Sequence, residues 1–196
     1  MDRLSLSARV LRALPAALAL TALAACASGT RYRPVSDMPV RIGPPYTVRG
    51  TTYTPAADPT YDFLGYATWY GNESGNQTAN GERFRADWVT AAHRTLPLPS
   101  YVEVTALATG RRILVRVNDR GPFTEKARII DLSKGAAELL GVRAQGKSGV
   151  RVRVVSPDEA DRAALRQGKP ARMLPPISPR ALASLRAQFE AGVGSL

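Results

Sequence analysis

The sequence is poor in the residues that most often carry metal and redox chemistry. Its 196 residues hold one cysteine, Cys26, and one histidine, His93. A lone cysteine cannot close an internal disulfide. One histidine and one cysteine leave no ligand set with familiar metal spacing, so neither a metal nor a cofactor is expected. Acidic residues are scarce as well: 16 Asp and Glu stand against 27 Lys and Arg, a formal net charge of +11. Such a field favours anionic partners, whether nucleic acid, lipid headgroups or an anionic wall polymer. No run of five or more lysines and arginines forms a basic arm, and no nucleic-acid partner is expected. The apolar run from Ala13 to Ala25 is shorter than the ~20 residues that cross a bilayer. Hydrophobic residues still make up 44% of the chain, enough for the core of one ordinary domain with extensions.

Arg3, Arg9 and Arg12 precede that apolar run, which ends in small residues. A charged start, a short apolar stretch and a small-residue end describe an export signal over residues 1–25. The run closes as Leu23-Ala24-Ala25-Cys26. This resembles a bacterial lipobox, in which the cysteine is lipidated and becomes the first residue of the mature protein. The alternative is an ordinary signal peptide with Cys26 incidental. The lipobox reading predicts a membrane partner through a lipid on Cys26. Ala27, where an Asp would signal inner-membrane retention, implies the outer membrane.

Residues 26–60 hold Pro34, Pro39, Pro44, Pro45, Pro55 and Pro59. That density excludes regular helix and predicts an extended tether, part of which, near Tyr46–Val48 and Thr51–Tyr53, packs as an edge strand. Residues 61–155 read as a compact β-rich domain. Val102 and Val104 alternate with polar residues, as do Ile113, Val115 and Val117 with Arg112 and Arg116; Gly110 lies between them, so the two runs predict a hairpin. Ser133 is placed to cap a helix through Ala136–Leu140 that Gly141 stops. Val150, Val152 and Val154 predict a last strand. Short strands, one short helix and frequent turns suggest a small barrel. Residues 156–196 form a proline-broken tail, in which Leu182, Leu185 and Phe189 recur at helical spacing. Such a helix is marginal alone, and the spacing leaves open whether it docks.

Four segments concentrate polar groups: Gly65–Gly71, Thr78–Phe84, Ala91–Pro97 and Val117–Phe123. Glu82 and Asp119 are candidate acids, because glycan cleavage needs a proton donor and stabilisation of an oxocarbenium-like state. Trp69 and Tyr70 have flat faces that suit a sugar ring. Each also has a plainer reading: Asp119 bonding its own turn, Glu82 a solvated partner of Arg83, His93 structural, the aromatics core. Sequence spacing leaves open whether Glu82 and Asp119 meet.

Together these segments resemble the rare lipoprotein A (RlpA-like) family. GYATWYG is similar to its ASWYG start, TANGERF to TANGE-x-F/Y, and TAAHRTLPLPSYVEVT to TAAHRTLPFGT-x-V-x-V-T. VRVNDRGPF and ARIIDLSKGAAELLGV follow family signatures, and the likeness spans roughly residues 42–155. The resemblance implies a mainly β fold, a six-stranded double-psi β-barrel with one or two short helices, and lytic transglycosylase activity on peptidoglycan glycan strands in the cell envelope. It implies Asp119 as catalytic acid, Glu82 as a second required carboxylate and His93 as a third polar groove position. Thr78, Asn80, Asn118 and Arg120, with Trp69 and Tyr70, would contact substrate. The rivals are a non-catalytic, expansin-like wall binder and a structural tether from membrane to wall. Many family members carry a C-terminal SPOR domain; residues 156–196 are expected to be too short for one.

Overall fold

A computed structural model describes residues 31–71 and 75–193. The export signal and Cys26 lie outside the described residues. The described residues from Tyr32 onward form one compact unit.

Six strands close a barrel: β3 (Asp62–Tyr70), β4 (Thr90–Ala92), β5 (Ser100–Ala106), β6 (Arg112–Asp119), β7 (Arg128–Ser133) and β8 (Ser148–Val154). Their order around the barrel is β3-β7-β4-β6-β5-β8, with β8 returning to β3. The pairs β3–β7 and β4–β6 are parallel, and the other four are antiparallel. This is the expected double-psi β-barrel. The period of two puts Val102, Val104, Val115, Val117, Val150 and Val152 inside, all fully buried. β5 and β6 form the expected hairpin, with Val102 opposite Val115 and Val104 opposite Ile113. On the outer face Glu103 pairs with Arg153 and Arg112 across strands.

Helix α1 (Lys134–Leu140) begins where expected: the Ser133 hydroxyl accepts from the Ala136 amide, and Gly141 ends it at φ 79°. Two further helices follow, which makes three among the described residues. α2 (Glu159–Arg166) is capped by Asp158, and its Leu165 is buried in the core. Helix α3 (Pro179–Val193) docks. Phe189 meets Tyr66 edge-on at 5.1 Å and packs closely over Gly149, where an added Cβ would lie 3.1 Å from its ring. Arg186 also donates to the Leu107 and Ala108 carbonyls at 2.7 and 2.6 Å.

The segment expected as a tether is instead bound along much of its length. Arg33 N donates to Gly81 O at 2.7 Å, and Arg41 and Leu98 exchange two backbone hydrogen bonds at 2.8 Å. Tyr46–Val48 (β1) and Thr51–Tyr53 (β2) pair with each other, not with the barrel. The edge-strand expectation fails because a closed barrel has no free edge to extend. This ribbon packs through rings instead: Tyr46 and Tyr53 stack at 5.5 Å and both meet Phe123.

Candidate active site

Strand register brings two carboxylates to one face. Ala92 of β4 is paired on one side with Asp119 of β6 and on the other with Asp131 of β7. Asp131 is paired in turn with Thr68 of β3. Laterally paired residues share a face, so Thr68, Asp131, Ala92 and Asp119 form one row across four strands. The two aspartates are two strand spacings apart, roughly 9–10 Å between Cα atoms. Ala92 between them has no side chain long enough to fill the gap.

Asp119 is held through one oxygen. Its Oδ1 accepts from the Ala79 amide at 2.7 Å and from its neighbour Arg120 at 2.8 Å. Burial raises its pKa, and the charge of Asp131 adds to the rise; the two amide bonds and Arg120 pull the other way and do not prevail. Arg120 directs its guanidinium away, onto the carbonyls of His93, Leu96 and Ile42. Asp131 accepts from Thr68 and Arg128, each at 2.7 Å. Its other oxygen lies against the loop after Asp119, where a Cβ on Gly121 would stand 3.5 Å away.

Glu82 does not face this row. It is 1% exposed, and both oxygens are occupied. Oε1 accepts from Arg116 at 2.8 Å and Asn80 at 3.1 Å; Oε2 accepts from Arg116 at 2.7 Å and Asn118 at 2.9 Å. Arg116 was expected on a polar strand face, and it is there, but the 33–46 segment covers it to 1% exposure. It also reaches Asp37 at 3.3 Å and the Ser36 carbonyl at 2.7 Å. Asp37 is pinned further by Tyr101 at 2.7 Å and by Arg166 of α2. Its pKa falls: burial opposes the fall, but the bonds from Tyr101 and Arg166 and the charge of Arg116 outweigh it. Thus a buried Glu82–Arg116–Asp37 chain joins the Thr78–Glu82 loop, the barrel, the N-terminal segment and α2. Thr78 closes that loop by donating to the Glu82 carbonyl and accepting from its amide.

His93 is 3% exposed. Burial, with the charges of Arg120 and Arg94, lowers its pKa to about 3, so it is neutral. Nδ1 accepts from the Thr95 and Leu96 amides, shaping that turn. Its backbone N–H donates to Asp119 O at 3.0 Å. Trp69 and Tyr70, expected to stack on sugar, each have one ring face engaged by a neighbour. Arg143 lies over Trp69 at 5.4 Å, and Tyr70 stacks on Phe84 at 5.0 Å. Burial and then the charges of Asp119 and Asp131 hold the Tyr70 phenol well above its ordinary pKa. Asp131, Arg116 and Asp37 were missed from sequence. A charged residue inside the apolar run Ile129-Ile130-Asp131-Leu132 was the available signal for the first.

A family model described as lytic transglycolase matches residues 63–152. Proteins named endolytic peptidoglycan transglycosylase RlpA are similar over the same region. The one from Pseudomonas aeruginosa (strain UCBPP-PA14) is 51% identical over 115 residues, 58% of this chain and 33% of its own. The one from Rickettsia felis is 43% identical over 126 residues, 62% of this chain and 54% of its own. Over residues 63–152 the chain is RlpA-like. This RlpA-like chain spans about half or less of the length of the curated relatives it matches. The relative from Yersinia pestis is 45% identical over 130 residues, 65% of this chain and 35% of its own. Likeness to solved structures is distant. The Streptomyces papain inhibitor is 24% identical over 52% of the RlpA-like chain and all of its own, with TM-score 0.43. The apo expansin of Clavibacter michiganensis is 20% identical over 50% and 52%, with TM-score 0.39.

Proposed function

We propose that this protein cleaves peptidoglycan glycan strands as a lytic transglycosylase, with Asp119 as the proton donor. The observation that carries the reading is the row that sets Asp119 and Asp131 on one outer face with Asp119 shifted toward its acid form. A carboxyl that must donate a proton near neutral pH needs that shift. In the proposed step the Asp119 oxygen not held by amides protonates the bridging oxygen between N-acetylmuramic acid and N-acetylglucosamine. The C1–O bond breaks, and the muramic C6 hydroxyl attacks its own C1. The hydroxyl proton returns to the Asp119 carboxylate, so no water is consumed. Asp131 offers a negative charge to the oxocarbenium-like centre. Glu82 has no free lone pair for the C6 proton, which makes it a positioning residue that anchors the loop donating Ala79 N–H to Asp119. His93 likewise positions, through its backbone and its turn. Mass spectrometry of digested sacculi tests the reading: 1,6-anhydro-muramic ends support it, reducing ends indicate hydrolysis, and binding with no product favours the non-catalytic wall binder.

The pH profile separates the two aspartates. Activity requires Asp119 protonated, so the rate falls as pH rises through its raised pKa. Asp131→Asn removes the neighbouring negative charge and lowers that pKa. The alkaline limb of kcat is then expected to move to lower pH. An unmoved limb would take Asp131 out of the site's electrostatics.

Anchoring in the envelope belongs to the same reading. The sequence Leu23-Ala24-Ala25-Cys26 supports a lipid on Cys26 that holds the enzyme at the periplasmic face of the outer membrane. Cys26→Ser is expected to release the protein from the membrane fraction or leave it unprocessed. A variant that still fractionates with outer membranes at unchanged mass refutes the anchor.

A further inference from the structure

Among the described residues the N-terminal strap places two unpaired arginines beside the loop that holds the acid. Two small clefts, about 250 and 230 Å³, adjoin along residues 33–46, and both are lined by Arg41 and Asn80. The first also reaches Arg33, Ser36 and Glu82; the second reaches Tyr46, Ala79 and Arg120. Ala79 is the residue whose amide holds Asp119. Both clefts therefore open on the loop that positions the acid.

The carboxylates around this strap are already engaged. Asp37 is bound by Tyr101, Arg116 and Arg166. Glu82 accepts four hydrogen bonds from Arg116, Asn80 and Asn118. Asp119 holds two backbone amides. Among the described residues the guanidinium groups of Arg33 and Arg41 have no hydrogen-bond or ion-pair partner. Their backbones are nonetheless fixed. Arg41 is doubly bonded to Leu98, and Arg33 is bonded to Gly81, where its stem packs so closely that an added Cβ would lie 2.8 Å from Cδ. A guanidinium presented from a fixed backbone is suited to a carboxylate, which it meets with paired N–H donors.

We propose that the strap forms a carboxylate-reading subsite for the glycan strand, with Arg41 as its principal cation and Arg33 as a second. The proposal rests on the transglycosylase reading for its substrate. A strand of N-acetylglucosamine alone carries no carboxylate. Muramic acid adds one on its lactyl ether, free when the stem peptide is absent, and a stem peptide brings carboxylates of its own. The strap thereby distinguishes wall glycan from neutral glycan by charge. Both cations lie outside residues 63–152, so the subsite is added to the barrel by its N-terminal extension.

The test uses the full chain and four soluble probes: peptide-free glycan strands with free lactyl carboxylates, the same strands with those groups converted to methyl amides, peptide-bearing strands, and chitin oligosaccharides. Wild type is expected to bind the free-carboxylate strands about tenfold more tightly than the amidated ones, the size of one charge-assisted bond. Arg41→Ala should erase most of that ratio and Arg33→Ala part of it. Arg41→Lys, which keeps the charge, should retain part of it. Where cleavage is measured, the loss should fall on KM. Circular dichroism and melting keep the comparison to folded variants. If Arg41→Ala weakens binding only to peptide-bearing strands, the carboxylate read is that of the stem peptide. Equal wild-type affinity for free, amidated and peptide-bearing strands, or affinities for all three unchanged in Arg41→Ala, overturns the subsite. Product analysis separates this from the parent reading. Anhydro ends without charge discrimination sink the subsite alone. Charge discrimination without anhydro ends sustains the subsite and sinks the transglycosylase.

Discussion

Asp119→Asn is expected to lower kcat by about 10²–10⁴-fold, the usual cost of losing acid–base function. The substitution keeps the shape. Asparagine Oδ1 still accepts from Ala79 and Arg120, but the amide NH2 in place of the second oxygen can donate a hydrogen bond and is far too weak an acid to transfer a proton to a glycosidic oxygen. Release of 1,6-anhydro ends from sacculi, measured as a rate, checks it. Wild-type turnover in the variant would remove Asp119 from the mechanism. Stability supplies a control. The Asp119 pKa is raised by burial in the folded state, so ionising it costs folding free energy. That cost is absent below the unfolded pKa, about 3.9, and grows as pH rises through the folded one. Asp119→Asn should therefore melt no lower than wild type at neutral pH, and the difference should shrink in acid. An inactive, unfolded variant would say nothing about catalysis; an inactive, equally stable one assigns the loss to the proton.

Glu82→Gln carries the largest expected effect on stability. Arg116 is buried and makes two hydrogen bonds to this one carboxylate. Removing the charge leaves a guanidinium in the interior with only Asp37 and a carbonyl near it. Breaking a buried pair from one side typically costs about 3–5 kcal/mol, and Asp37 should hold the loss toward the lower end. Urea unfolding measures it; a loss below about 1 kcal/mol would mean that the pair is not structurally needed. Activity should fall too, through the loop. A displaced loop withdraws the Ala79 amide from Asp119, and that amide lowers the Asp119 pKa. The alkaline limb of the pH–rate profile should then rise while kcat drops. Arg116→Met should shift the limb the same way, because it frees the same loop. If Glu82→Gln is inactive while Arg116→Met keeps both rate and profile, Glu82 moves protons directly and the positioning role is wrong.

Much of the barrel was legible because strand signals are local. The alternation in 102–104 and 113–117 put the valines inside with no knowledge of what lay opposite, since side chains change face at every residue. Ser133 and Gly141 bracketed α1 for a similarly local reason: cap geometry is set within a few residues. α2 was not legible. Its eight residues carry four charges, Glu159, Asp161, Arg162 and Arg166, and the buried apolar contact comes from one leucine. Propensity is a weak signal at that length. The 33–46 strap looked like a tether for a related reason. Proline density reports that a segment is extended, and an extended segment lies along a surface as readily as it leaves one.

The sequence by itself determined the strands around 102–104, 113–117 and 150–154 with their apolar faces, and where α1 starts and stops. These depend on neighbours within one or two turns of chain. The tertiary structure decided how the polar faces are used. Strand order placed Asp131 two strands from Asp119 on the same row, a proximity that the eleven residues of intervening chain do not encode. The strap covered Arg116 and so turned Glu82 from a candidate proton carrier into the partner of a buried cation. It also left Arg33 and Arg41 without an anion. Burial and charge pairing are sums over groups distant in sequence, so a carboxylate's role follows from which segments close over it rather than from the motif that contains it.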